Sequence, residues 1–194
     1  MLNNKIIASI QSSIDVKQKL ISNSELIETI SKVATALVSV YKNDGKILFC
    51  GNGGSASDAQ HLAAELSGRF YYDRPPLYAE ALHVNSSFLT AVANDYSYNE
   101  VYARMVKAAG RKGDALIAFS TSGNSENIIN AIIEAKKIGM TVVGFTGENG
   151  GKIKNLVDYL INIPSKDTPR IQESHIVVGH ILCEIIESQI FPKR

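Results

Sequence analysis

Hydrophobic positions change their period once along this chain. Up to Tyr41 apolar residues recur at helical spacing, and Ile6 to Leu20 and Glu25 to Tyr41 each read as an amphipathic helix. Ser22, with Glu25 three residues on, is a capping-box signal for the second helix, and Gly45 marks its end. From Lys46 onward, short apolar runs alternate with helical stretches. The runs predict strands at 46–50, 77–83, 114–119, 140–145 and 159–163. The stretches between them predict helices at 55–69, 86–93, 98–109, 125–138 and 151–157. Such alternation predicts an α/β fold: a parallel sheet flanked by helices in three layers, with the N-terminal helix pair as an extension.

The last helix, from Pro169 to Ile190, is apolar over most of its circumference. Ile171, Val178, Leu182 and Ile186 share it with Ile176, Val177, Ile181, Ile185 and Ile190. A helix of this kind needs cover on every side. A chain of this length can hardly surround it while also covering a sheet. A homo-oligomer is expected, with the helices of residues 1–45 joining the contact.

Two strand-to-helix turns carry the chemistry. Gly51-Asn52-Gly53-Gly54-Ser55-Ala56-Ser57 follows the first apolar run, and Ser120-Thr121-Ser122-Gly123-Asn124-Ser125 follows Ala115-Leu116-Ile117-Ala118-Phe119. Glycine admits close backbone approach, the amides at the next helix start favour an anion, and hydroxyls add donors. Neither turn has the lysine of a nucleotide-binding P-loop. A sugar phosphate suits them better than a nucleoside triphosphate. The first turn also fits a loose dinucleotide fingerprint, but the strand ending near Val84-Asn85 offers no acidic residue for a ribose.

Composition narrows the classes further. The 194 residues carry a net charge of +1 with no basic run, so no nucleic-acid footprint is visible. No apolar stretch approaches the roughly 20 residues needed to cross a bilayer. Met1 to Ser12 lacks the apolar core of a signal peptide. Cys50 and Cys183 lie in apolar runs and read as buried, reduced thiols. A cytoplasmic protein of one domain, residues 1–194, is expected.

Candidate reactive groups cluster on two helices. His61 and Glu65 are four apart on the helix opened by the first turn, and so share a face. A surface salt bridge and a pair able to bind metal or move protons both fit that spacing. On the last helix Gln172 and His180 lie close to one face, with His175 near the same stripe. They are either core polar groups satisfied by hydrogen bonds or groups that meet His61 and Glu65 across a site. Together His61, Glu65, Gln172 and His180 would offer four ligand atoms. Gln is an unusual zinc ligand, and spacing alone does not specify a metal. Asn94-Asp95 reads as a helix-ending polar pair or a contact for sugar hydroxyls. Arg69 reads as a charge complementing a helix end or as a ligand contact.

Cys50-Gly51-Asn52-Gly53-Gly54-Ser55, Asp58-Ala59-Gln60-His61, Ser120 to Ser125 and Arg170-Ile171-Gln172-Glu173 resemble the bacterial phosphoheptose isomerases of the sugar isomerase (SIS) class. The resemblance covers essentially the whole chain. It implies a flavodoxin-like SIS fold, a homotetramer with active sites between subunits, and conversion of D-sedoheptulose 7-phosphate to D-glycero-D-manno-heptose 7-phosphate, the first step of nucleotide-heptose biosynthesis. It implies Glu65 and His180 as the acid–base pair, and His61, Glu65, Gln172 and His180 as ligands of one zinc ion per subunit. Asn52, Gly53, Gly54, Asn94 and Asp95 would contact the sugar, with Glu65, Arg69 and Gln172 among the substrate contacts. Ser120, Thr121, Ser122 and Ser125 would hold the phosphate.

Three stretches depart from the family pattern: His83-Val84-Asn85-Ser86, Tyr96-Ser97-Tyr98 and Thr168-Pro169. They bear on substrate preference more than on reaction type. A sibling group of the same fold binds the bacterial replication initiator without catalysis, and is the alternative reading. Its members lack the counterparts of Glu65 and His180, which this chain has.

Overall fold

The apolar runs become the central layer. The computed structural model describes residues 1–193. Its strands are β1 (Ile47–Cys50), β2 (Ala79–Ala81), β3 (Ala115–Phe119), β4 (Thr141–Thr146) and β5 (Tyr159–Asn162). All pairs are parallel and the order is β2-β1-β3-β4-β5. This is the order of flavodoxin-like doubly wound sheets. Phe49 sits opposite Ala81 on one side and Ile117 on the other. The chain therefore reverses its winding between β1 and β3, and a crevice opens at their carboxyl ends.

The helices are α1 (Leu2–Ser22), α2 (Ser24–Lys42), α3 (Gly54–Ser67), α4 (Ser86–Asp95), α5 (Val101–Ala109), α6 (Glu126–Ile138) and α7 (Thr168–Ile190). Alternate strand residues feed opposite cores. Ile47, Phe49, Ile117, Phe119 and Phe145 pack with residues of α1, α2, α3 and α7. Leu48, Cys50, Leu116, Ala118 and Val142 pack with α4, α5 and α6. A strand buried on both faces must be apolar throughout, which is why the runs are continuous rather than alternating. Each fully buried side chain such as Phe49 or Phe119 contributes roughly 1.5–3 kcal/mol. Cys50 and Cys183 are buried free thiols, as expected.

Several boundaries differ from the sequence reading. Asn23, not Ser22, caps α2: its side chain accepts from the Leu26 N–H at 3.0 Å. The α2 helix ends at Lys42, and Asp44 rather than Gly45 takes the left-handed conformation, at φ 58°. The strand expected over 77–83 pairs only over Ala79–Ala81. The helix expected at 151–157 is a single 3₁₀ turn, Ile153–Asn155, because Gly150 and Gly151 both adopt positive φ just before it. The start of the 98–109 helix is likewise a 3₁₀ turn, Tyr98–Glu100.

The last helix is covered on one side only. Ile171, Val178, Leu182 and Ile186 are buried, while Val177 and Ile181 are exposed. Ile6, Ile7, Ile10 and Ile14 on α1 are exposed as well. Among the described residues, no helix is long and apolar enough to cross a membrane.

Candidate active site

Two helices of the same layer bring the reactive groups together. The α3 helix leaves the first glycine-rich turn, with Gly53 as its N-cap at φ 57°. It presents His61 and Glu65 one turn apart, with His61 Nε2 3.1 Å from Glu65 Oε1. The α7 helix crosses it and presents His180, whose Nε2 lies 3.0 Å from His61 Nε2. One donor atom from each of His61, Glu65 and His180 falls within 4.8 Å of the others. The close crossing depends on Gly179, where an added Cβ would stand 2.5 Å from Leu62 Cδ1.

The donor chemistry fits a zinc-type ion. Two imidazole nitrogens and a carboxylate oxygen are the usual set, and donors sharing a tetrahedral ion at about 2.0–2.1 Å stand about 3.3 Å apart. The separations of 3.0 and 3.1 Å are close to that value. Burial first, and then His61, hold the His180 pKa below its ordinary value, against the opposing pull of Glu65. His180 is therefore neutral near pH 7, as a ligand or a proton acceptor must be.

Gln172 lies two turns before His180 and rests on the first turn: a Cβ on Gly54 would stand 2.5 Å from its Nε2. This ties α7 to the start of α3. His175 does not join the cluster. It is fully buried, its Nε2–H donates to the Thr146 carbonyl at 3.1 Å, and Phe119 and Phe145 flank its ring. Asp58, one turn before His61, has a buried Oδ2 with no partner, and burial raises its carboxyl to about 6 despite His61.

The two turns are braced to each other. Asn52 Nδ2 donates to Asn127 Oδ1 at 2.9 Å, and Asn127 Nδ2 donates back to Asn52 Oδ1 at 2.8 Å. Tyr98 adds its hydroxyl to Asn52 Oδ1 at 3.2 Å, and the Tyr102 hydroxyl donates to the Gly51 carbonyl. One Nδ2 hydrogen of Asn52 remains free to meet a ligand.

In the second turn Ser120 Oγ and Ser125 Oγ are 3.0 Å apart, and Ser125 is the N-cap of α6. The first ladder bonds of α6 run from the Ile128 and Ile129 N–H groups to the Ser125 carbonyl. The N–H groups of Glu126 and Asn127, ahead of those bonds, have no helical partner, as an anion seat requires. Thr121 and Ser122 border an open groove of about 300 Å³ that Ser165 and Lys166 also line. Gly123, at φ 67°, packs so tightly on the Gly150 carbonyl that no side chain fits, and Gly151 packs back on the Ser122 and Gly123 carbonyls.

The remaining sequence candidates stand apart from these contacts. Asn94 and Asp95 are exposed at the end of α4 and bond to each other at 2.9 Å. Arg69 is exposed just beyond α3. The departing stretch His83 to Ser86 supplies a helix cap: Asn85 Oδ1 accepts from the Phe88 N–H at 3.0 Å. Asn127, Gly179 and the buried pair Arg74–Glu187 escaped the sequence reading. Of these, Glu187 alone left a signal, a charge on the apolar stripe of α7.

Residues 12–147 match the SIS domain family. The phosphoheptose isomerase of Aneurinibacillus thermoaerophilus is 52% identical over 193 residues, covering 100% of this chain and 98% of that protein. The structure of the phosphoheptose isomerase from Neisseria gonorrhoeae superposes with a TM-score of 0.91 at 43% identity, covering 97% of this chain and 100% of that one. That from Francisella tularensis superposes at 0.92 and 39% identity, covering 97% and 99%. Identity of this extent, on the same fold, places the chain among the phosphoheptose isomerases, a family of SIS-domain aldose–ketose isomerases.

Proposed function

We propose that the chain interconverts D-sedoheptulose 7-phosphate and D-glycero-D-manno-heptose 7-phosphate, as the first step of nucleotide-heptose biosynthesis in the cytoplasm. One observation carries this reading: the Glu65 carboxylate and the His61 and His180 imidazoles converge within 4.8 Å from two separate helices. Relatives named phosphoheptose isomerase point to the substrate.

Aldose–ketose exchange takes a proton from one carbon and returns one to its neighbour through an enediol(ate). One oxygen gains a proton as the other loses one. Glu65 and His180 form the acid–base pair for these transfers, each group contributing roughly 10²–10⁴-fold. Burial and His61 lower the pKa of His180, which favours the unprotonated imidazole, the form able to take up a proton. Ser120, Thr121, Ser122 and Ser125, with the open amides of α6, seat the phosphate. Asn52, Gly53, Gly54, Arg69, Asn94, Asp95 and Gln172 orient the sugar. His61, Glu65, Gln172 and His180 would hold one zinc ion per subunit, which would supply Lewis-acid polarisation of the carbonyl and hydroxyl oxygens.

The working form is a homotetramer. The His61 side chain is 51% exposed in a single subunit. The exposed Val177 and Ile181 flank His180 along α7. A second copy laid over these residues and the isoleucines of α1 would bury apolar surface and exclude water from the cluster. The test is an assay of the zinc-loaded protein on sedoheptulose 7-phosphate, followed by NMR. Formation of the heptose phosphate is expected, and no conversion would overturn the reading.

A further inference from the structure

A buried ion pair lies just beyond the cluster. Arg74 Nε stands 3.1 Å from Glu187 Oε1, and each side chain is only 1% exposed. Burying two charges is costly, and a well-packed apolar pair often serves stability as well or better. What this pair supplies is connection. One terminal nitrogen of Arg74 donates to the carbonyls of Leu66 at 2.7 Å, Gly68 at 3.0 Å and Pro75 at 3.0 Å. The other donates to the carbonyl of Glu65 at 2.9 Å. Glu65 and Leu66 belong to the last turn of α3 and Gly68 is its C-cap; a helix end leaves such carbonyls without ladder partners, and here the Leu66 carbonyl also accepts from the Leu77 N–H at 3.2 Å. The guanidinium caps the very helix that carries His61 and Glu65, and its cap runs through the backbone of Glu65 itself.

Glu187 anchors the same segment to α7. Its Oε1 accepts from the Phe70 N–H at 2.9 Å and its Oε2 from the Tyr71 N–H at 2.8 Å. Glu187 lies two helical turns after His180. The loop it holds places the Phe70 ring 5.6 Å from the His180 ring, centre to centre. The end of α3, the neighbour of His180 and the body of α7 thus meet at one ion pair. A purely apolar contact could hold the helices together but would let them slide or rotate. Fixed hydrogen bonds to named carbonyls and amides do not.

We propose that Arg74 and Glu187 are positioning residues, which set the spacing and rotation of α3 against α7 so that His61 and Glu65 meet His180. This rests on the reading of that cluster as the metal-binding and acid–base site. The test uses the full-length protein, metal-free for titration and zinc-loaded for kinetics, and its variants Arg74→Lys and Glu187→Asp, which keep both charges. Lysine cannot span the four carbonyls, and aspartate falls short of the two amides.

With wild-type circular dichroism, both variants are expected to lose at least tenfold in Co²⁺ and Zn²⁺ affinity, read by chelator competition. They should lose at least tenfold in kcat, with KM for the sugar phosphate within twofold of wild type. A lowered melting temperature with unchanged metal affinity and kcat would reduce the pair to a structural staple and overturn the proposal. Should neither variant fold, amide exchange in the wild-type protein decides. Zn²⁺ is expected to slow exchange at Phe70 and Tyr71 at least tenfold, and no slowing overturns the coupling. His180→Gln separates the two readings. If it keeps wild-type affinity and turnover, the cluster itself is misread; if it loses them while the Arg74 and Glu187 variants do not, only the positioning proposal fails.

Discussion

Gly179 of α7 meets Leu62 of α3 with no room for a methyl group: a Cβ there would lie 2.5 Å and 2.7 Å from the two Leu62 methyl carbons. These residues adjoin His180 and His61 in sequence. The two helices are therefore in tight contact beside the point at which their imidazoles meet. Gly179→Ala is expected to cost about 1–3 kcal/mol by overpacking. It should weaken zinc binding as well, because the imidazoles are pushed apart. Thermal unfolding and metal titration check both parts, and unchanged zinc affinity would show that the helices absorb the methyl without moving the donors.

His180→Gln removes a proton-transfer group while keeping polar bulk. Turnover is expected to fall by about 10²–10⁴-fold. Glu65→Gln should fall comparably, since in the proposed scheme both residues are metal donors as well as proton carriers. KM should move little in either variant, because the phosphate is seated elsewhere. Steady-state kinetics on sedoheptulose 7-phosphate decide it, and a normal kcat in His180→Gln would strike that residue from the acid–base pair.

The serine turn makes the opposite prediction. Ser122→Ala or Ser125→Ala should weaken substrate binding by about 1–3 kcal/mol, the effect of losing a hydrogen bond to a charged group. Ser125 should show the larger effect, because its loss also frees Ser120 Oγ, now 3.0 Å from Ser125 Oγ. Competition by inorganic phosphate gives an independent reading. Affinity for substrate and phosphate unchanged in both variants would move the anion seat elsewhere.

His175 predicts a pH dependence of stability. Its Nε2–H is committed to the Thr146 carbonyl, and its Nδ1 is buried without a partner, so a second ring proton would have nothing to bond. Burial lowers its pKa from 6.5 to about 4, with the Thr146 hydrogen bond opposing. The unfolded chain therefore takes up a proton first as pH falls. Stability from this group is intact above pH 6.5, erodes from there to about 4, and amounts to on the order of 3 kcal/mol. Gln at this position can still donate to Thr146 but cannot titrate. Urea unfolding across this range should show a flatter acid limb in His175→Gln, and superimposable limbs would remove the assignment.

Much of the fold was legible because its signals are local. Continuous apolar runs mark strands buried on both faces, and each catalytic-type turn follows one directly. The 3₁₀ turn at Ile153–Asn155 was misread as a helix because its apolar residues keep helical spacing, while two positive-φ glycines ahead of it cut the helix short. Half of the candidate site was legible too: His61 and Glu65 share a helical face by spacing alone. Their meeting with His180, 119 residues away, depends on a helix crossing that no local pattern encodes. Gly179 gave no sign, since a lone glycine in an apolar helix has several explanations. Asn127 was overlooked because its partner, Asn52, lies 75 residues earlier on another strand's turn.

The interlock of Gly123 with Gly150 and Gly151 limits how this scaffold can be retuned. Any replacement at Gly123 or Gly151 would collide with main chain and force the left-handed backbone on a residue that resists it. The turn proposed to seat the phosphate is consequently almost fixed in shape. Under the proposed reading, selectivity for sugars of other lengths would be engineered around Asn52 instead, on which the exposed Tyr98 phenol bears.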